Sequence, residues 1–221
     1  MTSLVTIIIR TYNNEDKIIK SINSALGQSY QNLEVLVIND GSTDETANRI
    51  KSIFDQRIRV INQKQLGSIS AAYTGIENAN GDYITFLDAD DELMLEAIDS
   101  LYKPLKNSSY GFSYCDYIEI DLSKKTSDYI SLTNLFNILA CGVMFKSIVI
   151  KNIEFWDKSY ILPEYDYIIR VLKKYKGVHV KTPLYKYYRH SKSMTADKKL
   201  MKKAKLQIYK KYGHIEGLKK Y

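Results

Sequence analysis

Apolar residues fall in short clusters separated by polar turns, and the spacing within the clusters changes along the chain. Leu4–Ile9, Leu33–Ile38, Ile58–Ile61 and Tyr83–Leu87 are near-continuous runs rich in β-branched residues, as in strands buried on both faces. Between them the spacing becomes helical. Ile18, Ile19, Ile22, Ala25 and Leu26 share one face, with Asn13 or Asn14 available as N-cap and Gly27 as terminator. A second helix is expected to open at the capping box Ser42-Thr43-Asp44-Glu45 and to carry Ala47, Ile50 and Phe54. A third contains Ala71, Ala72, Ile76 and Ala79. This alternation predicts an α/β protein with a mostly parallel sheet, right-handed crossovers and flanking helices.

After Asp91 the pattern loosens. Glu92–Leu105 reads as a helix, Phe112–Ile120 as a strand, Leu132–Leu139 as a helix, Val143–Phe145 as a strand, Glu164–Tyr175 as a helix and Val178–Tyr188 as a last strand. The expected organisation is one domain over residues 1–196, with a nucleotide-binding half (1–105) and a mixed half (106–196) able to offer a second substrate surface. Residues 197–221 form a basic helical tail.

Composition narrows the class. The chain has 221 residues, is 45% hydrophobic, and holds only 3 Pro and 10 Gly, enough for one substantial core and too few breakers for a linker. Cys115 and Cys141 have neither metal-knuckle spacing nor disulfide-scaffold density, so they read as reduced buried thiols in a cytoplasmic protein. The start, MTSLVTIIIRTYNN, lacks a basic n-region and reads as a first strand rather than a signal peptide. Tyr129–Phe145 is uncharged but carries Ser131, Thr133, Asn134 and Asn137, a poor membrane span. The formal charge of +7 lies wholly in the tail, where nine lysines face Asp197 and Glu216.

The strand ends carry the candidate chemistry. The first ends in Arg10-Thr11-Tyr12-Asn13, the second in Asn39-Asp40-Gly41-Ser42, and the fourth in Asp88-Ala89-Asp90-Asp91. Ligands of open α/β sheets bind at the carboxyl ends of parallel strands. There Asp88 and Asp90 can hold a divalent metal against a diphosphate, Asp40 can accept from a base imide N–H, and Tyr12 can offer a ring face to that base. Each motif also has a plainer use, since Asp-Gly-Ser forms turns and aspartates cap helices.

In order and spacing, VTIIIRTYNNEDKI, LEVLVINDGSTDET and GDYITFLDADDEL resemble the inverting family 2 glycosyltransferases of the GT-A fold, which is Rossmann-like. The resemblance is closest over residues 4–105 and continues more loosely to about residue 195. It implies that Thr11, Tyr12 and Asp40 contact the donor nucleoside, Asp88 the ribose or sugar, and Asp90 a Mn²⁺ or Mg²⁺ on the diphosphate. The family's acidic pair before a helical Arg matches Pro163-Glu164 counted back from Arg170, which makes Glu164 the general base and leaves Asp166 in reserve. A first-turn carboxylate is the plain alternative for Glu164.

The chain departs from the family where Arg-Asn commonly precedes the x-Gly matching Thr74-Gly75. Ala72 and Tyr73 stand there, leaving Lys64 or Arg10 as replacement cations. Near the end, Tyr188-Arg189-His190-Ser191-Lys192-Ser193 resembles the late family segment, which implies His190 as a metal ligand and Arg189 or Lys192 as a phosphate contact, with a solvated basic loop as the plain alternative. Trp156 falls where the family builds its acceptor wall, and can stack on a sugar or pack in the core. His179 and His214 have no matching context.

In the tail, Met201, Ala204, Ile208 and Tyr212 share a helical face among lysines. That face can lie on an anionic membrane, bringing the site to a lipid-linked acceptor at the inner face of the cell membrane, or it can pack on the domain. Nucleic acid is not an expected partner. The whole predicts an inverting, metal-dependent transfer of a sugar from a nucleotide-sugar, UDP-sugar favoured, to a hydroxyl of a glycan or lipid-linked acceptor in cell-surface polysaccharide synthesis. The rivals are a non-catalytic sugar-nucleotide-binding scaffold and a sugar nucleotidyltransferase. Against the latter, no Gly-rich phosphate loop follows the first strand.

Overall fold

The computed structural model describes residues 2–157, 159–191 and 193–213. The four apolar runs form β1 (Val5–Thr11), β2 (Leu33–Asn39), β3 (Ile58–Asn62) and β4 (Tyr83–Asp88), parallel and ordered β3-β2-β1-β4. Burial explains the composition: β1, β2 and β4 are covered on both faces and are almost wholly apolar, whereas β3 is the edge strand and alternates. The crossovers are α1 (Ile18–Leu26), α2 (Thr46–Lys51) and α3 (Ser68–Asn78). At Gly75, α3 comes so close to β1 that a Cβ would sit 2.5 Å from Ile8 Cγ2.

The sheet then turns antiparallel. β5 (Glu92–Leu93), α4 (Ala97–Tyr102), β6 (Phe112–Asp121), β7 (Thr126–Ile130), β8 (Val143–Lys146), α5 (Ser147–Asn152), α6 (Pro163–Leu172), β9 (Gly177–Arg189) and α7 (Lys198–Tyr212) follow in that order. β8 pairs antiparallel with β4 and β6, β9 runs parallel to β6, and β5 closes the far edge on β9. The order β3-β2-β1-β4-β8-β6-β9-β5, with β7 on β6, gives nine strands among the described residues.

Several elements differ from the sequence pattern, each for a local reason. The expected helix over Glu92–Leu105 starts only at Ala97, because Glu92 and Leu93 pair with Lys186 and Tyr185 and Met94 N–H donates to Leu184 C=O. Leu132–Leu139 keeps only a 3₁₀ turn at Leu135–Asn137. Asp116 Oδ1 accepts from Leu132 N–H at 2.7 Å and Asn134 Oδ1 from Phe136 N–H at 2.9 Å, so side chains take donors that a helix start would use.

The capping box before α2 does not close on itself. Ser42 Oγ accepts from Asn13 N–H, Asn13 Oδ1 from Thr43 N–H, Glu15 Oε2 from Glu45 N–H, and Thr46 Oγ1 from Asn14 N–H. The loops after β1 and β2 are laced together instead, at the sheet edge where the sequence places its polar residues. Phe54 lies beyond α2 and is 95% exposed, so it belongs to no helix face.

The tail helix packs. Ala204 and Ile208 are buried, and Asp197 caps the helix by accepting from Lys199 and Leu200 N–H groups. No helix among the described residues is long and apolar enough to cross a membrane. Cys115 and Cys141 are buried free thiols.

Candidate active site

The carboxyl ends of β1, β2 and β4, the start of α6 and the end of β9 surround one cleft of about 550 Å³. Of the sequence-predicted residues, Thr11, Tyr12, Asp40, Asp88, Asp90, Trp156, Glu164 and His190 all line it. Asp166, Lys64, Arg189 and His179 are not in its lining. His214 and Lys192 lie outside the described residues.

At one end, Thr11 Oγ1 is buried without a protein hydrogen-bond partner, and Tyr12 stands half-exposed at the rim. Asp40 holds the loop entering α3: Oδ1 accepts from Gln63 Nε2 at 2.7 Å and Leu66 N–H at 2.9 Å, and Oδ2 from Gly67 N–H at 2.8 Å. Three of roughly four lone-pair sites are thereby used, and one is left for a ligand. Gly41 makes the turn possible, since its φ is +74° and a Cβ would stand 2.8 Å from Gln65 N.

In the middle, β4 ends at Asp88, whose Oδ1 accepts from Arg10 Nη2 at 2.6 Å. Parallel register puts Arg10 directly beside Asp88, so the pair follows from strand alignment alone. The same guanidinium lies 5.0 Å from the Trp156 ring centroid and 5.6 Å from that of Phe86. It raises the cation count of the cleft where Ala72, fully buried in α3, has no charge to give. In the sequence Arg10 enters only as a candidate replacement for the cation missing at Ala72-Tyr73.

Asp90 Oδ2 lies 2.9 Å from His190 Nε2 and 3.8 Å from Lys17 Nζ. Asp91, which the sequence left without a role, is buried beneath the turn; its carboxylate accepts from Tyr185 OH and, at 2.8 Å, from Tyr188 N–H. Burial first, then the charges of Asp88 and Asp90, push its carboxyl up to about 8. Asp91 thus fastens the end of β9 under the turn after β4, which brings His190 to Asp90. No local motif announces such a contact across 94 positions.

Pro163 occupies the first turn of α6, where its missing N–H costs nothing, and Glu164, the next residue, lines the cleft. Burial pushes the Glu164 carboxyl up to about 7; the negative charge of Asp88 adds to this, and Arg10 opposes it. Asp166 faces elsewhere. It is 0% exposed, with Arg170 Nε at 2.7 Å, Lys211 Nζ at 2.7 Å and Tyr212 OH at 2.6 Å, and these hydrogen bonds hold its carboxyl low against the cost of burial. Trp156 is a buried wall residue, stacked on Phe155 at 4.6 Å.

Of the other expected cations, Arg189 is committed to structure and Lys64 is exposed outside the cleft lining. Arg189 donates to Glu119 and to Thr195 C=O, and His179 Nε2 lies 2.6 Å from Asp116 while its ring stacks on Tyr114. Among the described residues no three His, Cys, Asp or Glu side chains converge as a ready metal cage. Asp90 with His190 nevertheless fits a divalent cation. Such ions often take only one or two protein ligands and fill the remaining positions with phosphate oxygens and water.

A parallel α/β layer continued by a mixed one, with an acidic turn after the fourth strand, is the GT-A glycosyltransferase fold. A mannosyltransferase from Pyrobaculum calidifontis, solved with GDP-Man and Mn²⁺, superposes with a TM-score of 0.76 over 94% of this chain and 63% of its own, at 16% identity. The chain belongs to glycosyl transferase family 2, whose model matches residues 6–195. It is 34% identical over 207 residues, 88% of this chain and 81% of the relative, to the Escherichia coli UDP-Glc:alpha-D-GlcNAc-diphosphoundecaprenol beta-1,3-glucosyltransferase WfaP. It is 30% identical over 177 residues to the glycosyltransferase GlyA of Streptococcus pneumoniae, covering 68% of this chain and only 25% of that protein.

Proposed function

We propose that this chain transfers a sugar from a nucleotide-diphospho-sugar, UDP-sugar favoured, to a hydroxyl of a glycan or lipid-linked acceptor, with inversion at the anomeric carbon. One observation carries the reading: Asp88, Asp90 and Glu164 line a single cleft, with Glu164 within electrostatic reach of Arg10 and Asp88. Thr11, Tyr12 and Asp40 take the nucleoside end and Asp88 the ribose or sugar. Glu164 accepts the proton of the acceptor hydroxyl as that oxygen attacks. A carboxyl held near neutrality by burial is suited to this, since a base works best with a pKa near the working pH. No covalent enzyme intermediate is required.

Asp90 and His190 would hold Mn²⁺ or Mg²⁺, which when bound stabilises negative charge on a leaving diphosphate. Arg10, paired with Asp88, supplies fixed positive charge to the same region.

The likeness to WfaP, whose name specifies a UDP-glucose donor and a diphosphoundecaprenol-linked acceptor, supports UDP and a lipid-linked acceptor. A second groove supports the latter. It is lined by Lys198, Lys202, Lys205, Met201 and Leu206, and it shares Thr195 with the main cleft, which suits an anionic, partly apolar acceptor. The ordinary site of this work is a cell-surface polysaccharide pathway, with the chain cytoplasmic. Attachment to a membrane through the tail would have to use the lysine side, because Ala204 and Ile208 are already packed on the domain.

The test is Glu164→Gln, assayed for transfer and for nucleotide-sugar binding. Transfer is expected to fall about 10²–10⁴-fold while the donor still raises the melting temperature. Near-normal transfer would exclude Glu164 as the base. A wild-type protein that binds donors yet releases no nucleoside diphosphate with any acceptor would favour the scaffold alternative.

A further inference from the structure

The helix bearing Glu164 is gripped from outside by the tail. Asp166, two residues beyond Glu164 on α6, is fully buried, and two of its three side-chain partners come from the last turn of α7: Lys211 Nζ at 2.7 Å and Tyr212 OH at 2.6 Å. The third, Arg170, spans α6 to the preceding segment, donating to Glu154 C=O and, at 3.0 Å, to Phe155 C=O. One turn earlier on α7, Gln207 Oε1 accepts from Ile161 N–H at 3.0 Å and its Nε2 donates to Ser159 C=O at 3.1 Å. The chain is therefore held at five residues, Glu154, Phe155, Ser159, Ile161 and Asp166, and the same stretch supplies Trp156, Ile161, Leu162 and Glu164 to the cleft.

We propose that α7 is a strut for the Glu164 wall of the cleft, and that Asp166 is the positioning residue through which it acts. This rests on Glu164 being the base. The segment entering α6 has no helix or strand among its described residues; the packing of Ile153, Phe155, Trp156 and Leu162 and the Tyr73 OH bond to Trp156 C=O hold its first part, and α7 supplies the polar anchors at Ser159, Ile161 and Asp166. A carboxylate with three charge-assisted or hydroxyl donors is a strong anchor, and it has no solvent to retreat into. The residues proposed to bind the donor sit at the ends of β1, β2 and β4. Loosening α7 therefore acts on the transfer step and spares donor binding. The groups facing Glu164 are Arg10 from β1 and Asp88 from β4; those facing Asp166 are Arg170 from its own helix and Lys211 and Tyr212 from α7.

The experiment compares full-length wild type with Gln207→Ala, Tyr212→Phe and the Lys211→Met/Tyr212→Phe pair. Amide hydrogen exchange over residues 159–168 should quicken in the pair, and kcat should fall about tenfold, because misplacing a catalytic group by a fraction of an ångström weakens it. Donor affinity should stay within about twofold, so the loss falls on kcat and not on donor KM. The acid limb of kcat against pH should move down as water reaches Glu164, and Lys211→Arg should keep the wild-type rate. A structural helix would lower the melting temperature without moving that limb. Tyr212→Phe removes one hydroxyl only, so it provides a folded variant if the pair is poorly stable. Unchanged exchange, or faster exchange with kcat and the acid limb retained, overturns the strut. Absence of turnover in wild type overturns the Glu164 reading instead, and exchange still decides whether α7 braces α6.

Discussion

The parallel half of the molecule and the mixed half hold their carboxylates by different means. In β1, β2 and β4, side chains reach the cleft because strands end there: register sets Arg10 beside Asp88, and the turn after β2 carries Asp40. In the mixed half, Glu164 stands on a helix whose orientation depends on Asp166, Lys211 and Tyr212, with partners 45 and 46 positions away. His190 depends likewise on Asp91 and Tyr185. The first arrangement is fixed by strand register and the turns at strand ends; the second can be disturbed through a helix outside the sheet.

The largest effect that separates the halves is expected at Asp90. Asp90→Asn should lower turnover about 10²–10³-fold, the usual cost of losing one preorganised electrostatic contact to developing charge. Nucleotide affinity should change far less, because Thr11, Tyr12 and Asp40 remain. Chelation with EDTA should do the same to wild type, reversed by Mn²⁺, and should have no further effect on the variant. Full turnover of wild type in EDTA would remove the metal from the scheme.

Next in size is a packing change confined to the parallel half. Gly75→Ala forces a Cβ against Ile8 Cγ2 at 2.5 Å, and overpacking of this kind costs about 1–3 kcal/mol. Chemical denaturation measures it. Since the cleft residues of this half are fixed by strand ends, kcat of the folded fraction should be retained; a matching loss of kcat would mean that the parallel half is as sensitive as the mixed one.

The same contrast explains what the sequence made legible. Strands β1 to β4 and their helices could be read because burial on two faces enforces long apolar runs, and the convergence of Asp40, Asp88 and Asp90 on one cleft could be read because parallel strands end at one sheet edge. The site residues of the mixed half were reached through the likeness at Glu164 and His190, not through pattern. The role of Asp91, the three-way hold on Asp166 and the short β5 depend on contacts from β9 and α7, and a side chain caught by a distant partner leaves no periodicity behind. Leu132–Leu139 looked helical for that reason: its spacing was right, but Asp116, on β6, takes the first donor.

A smaller effect is the pH dependence of stability. Glu164 and Asp91 both have carboxyls raised in the folded state, to about 7 and about 8, chiefly by burial. The folded protein then binds more protons than the unfolded chain between roughly pH 4 and pH 8, so stability falls as pH rises through that window. Carboxyls that are lowered, such as Asp166 and Asp116, act only below it. Melting temperatures taken from pH 5 to pH 8 should decline, and Glu164→Gln should flatten the slope. In the same range kcat should rise, because the base must lose its proton; a rate independent of pH near 7 would detach the base from this carboxyl.

The smallest effect is expected where pattern misled. Phe54 repeats at a helical interval after Ala47 and Ile50, yet α2 ends at Lys51 and the ring stands 95% exposed, touching neither half of the cleft. A surface residue without packing or hydrogen bonds contributes little to folding, so Phe54→Ser should change stability by no more than about 0.5 kcal/mol and leave kcat and donor KM alone. Ile50, one position before the helix end and 2% exposed, is the contrast: Ile50→Ala should cost about 2–5 kcal/mol as a core truncation. Equal losses at the two positions would mean that Phe54 is covered in solution, and an increase in self-association on dilution series of wild type, absent from Phe54→Ser, would identify a second copy of the chain as the cover.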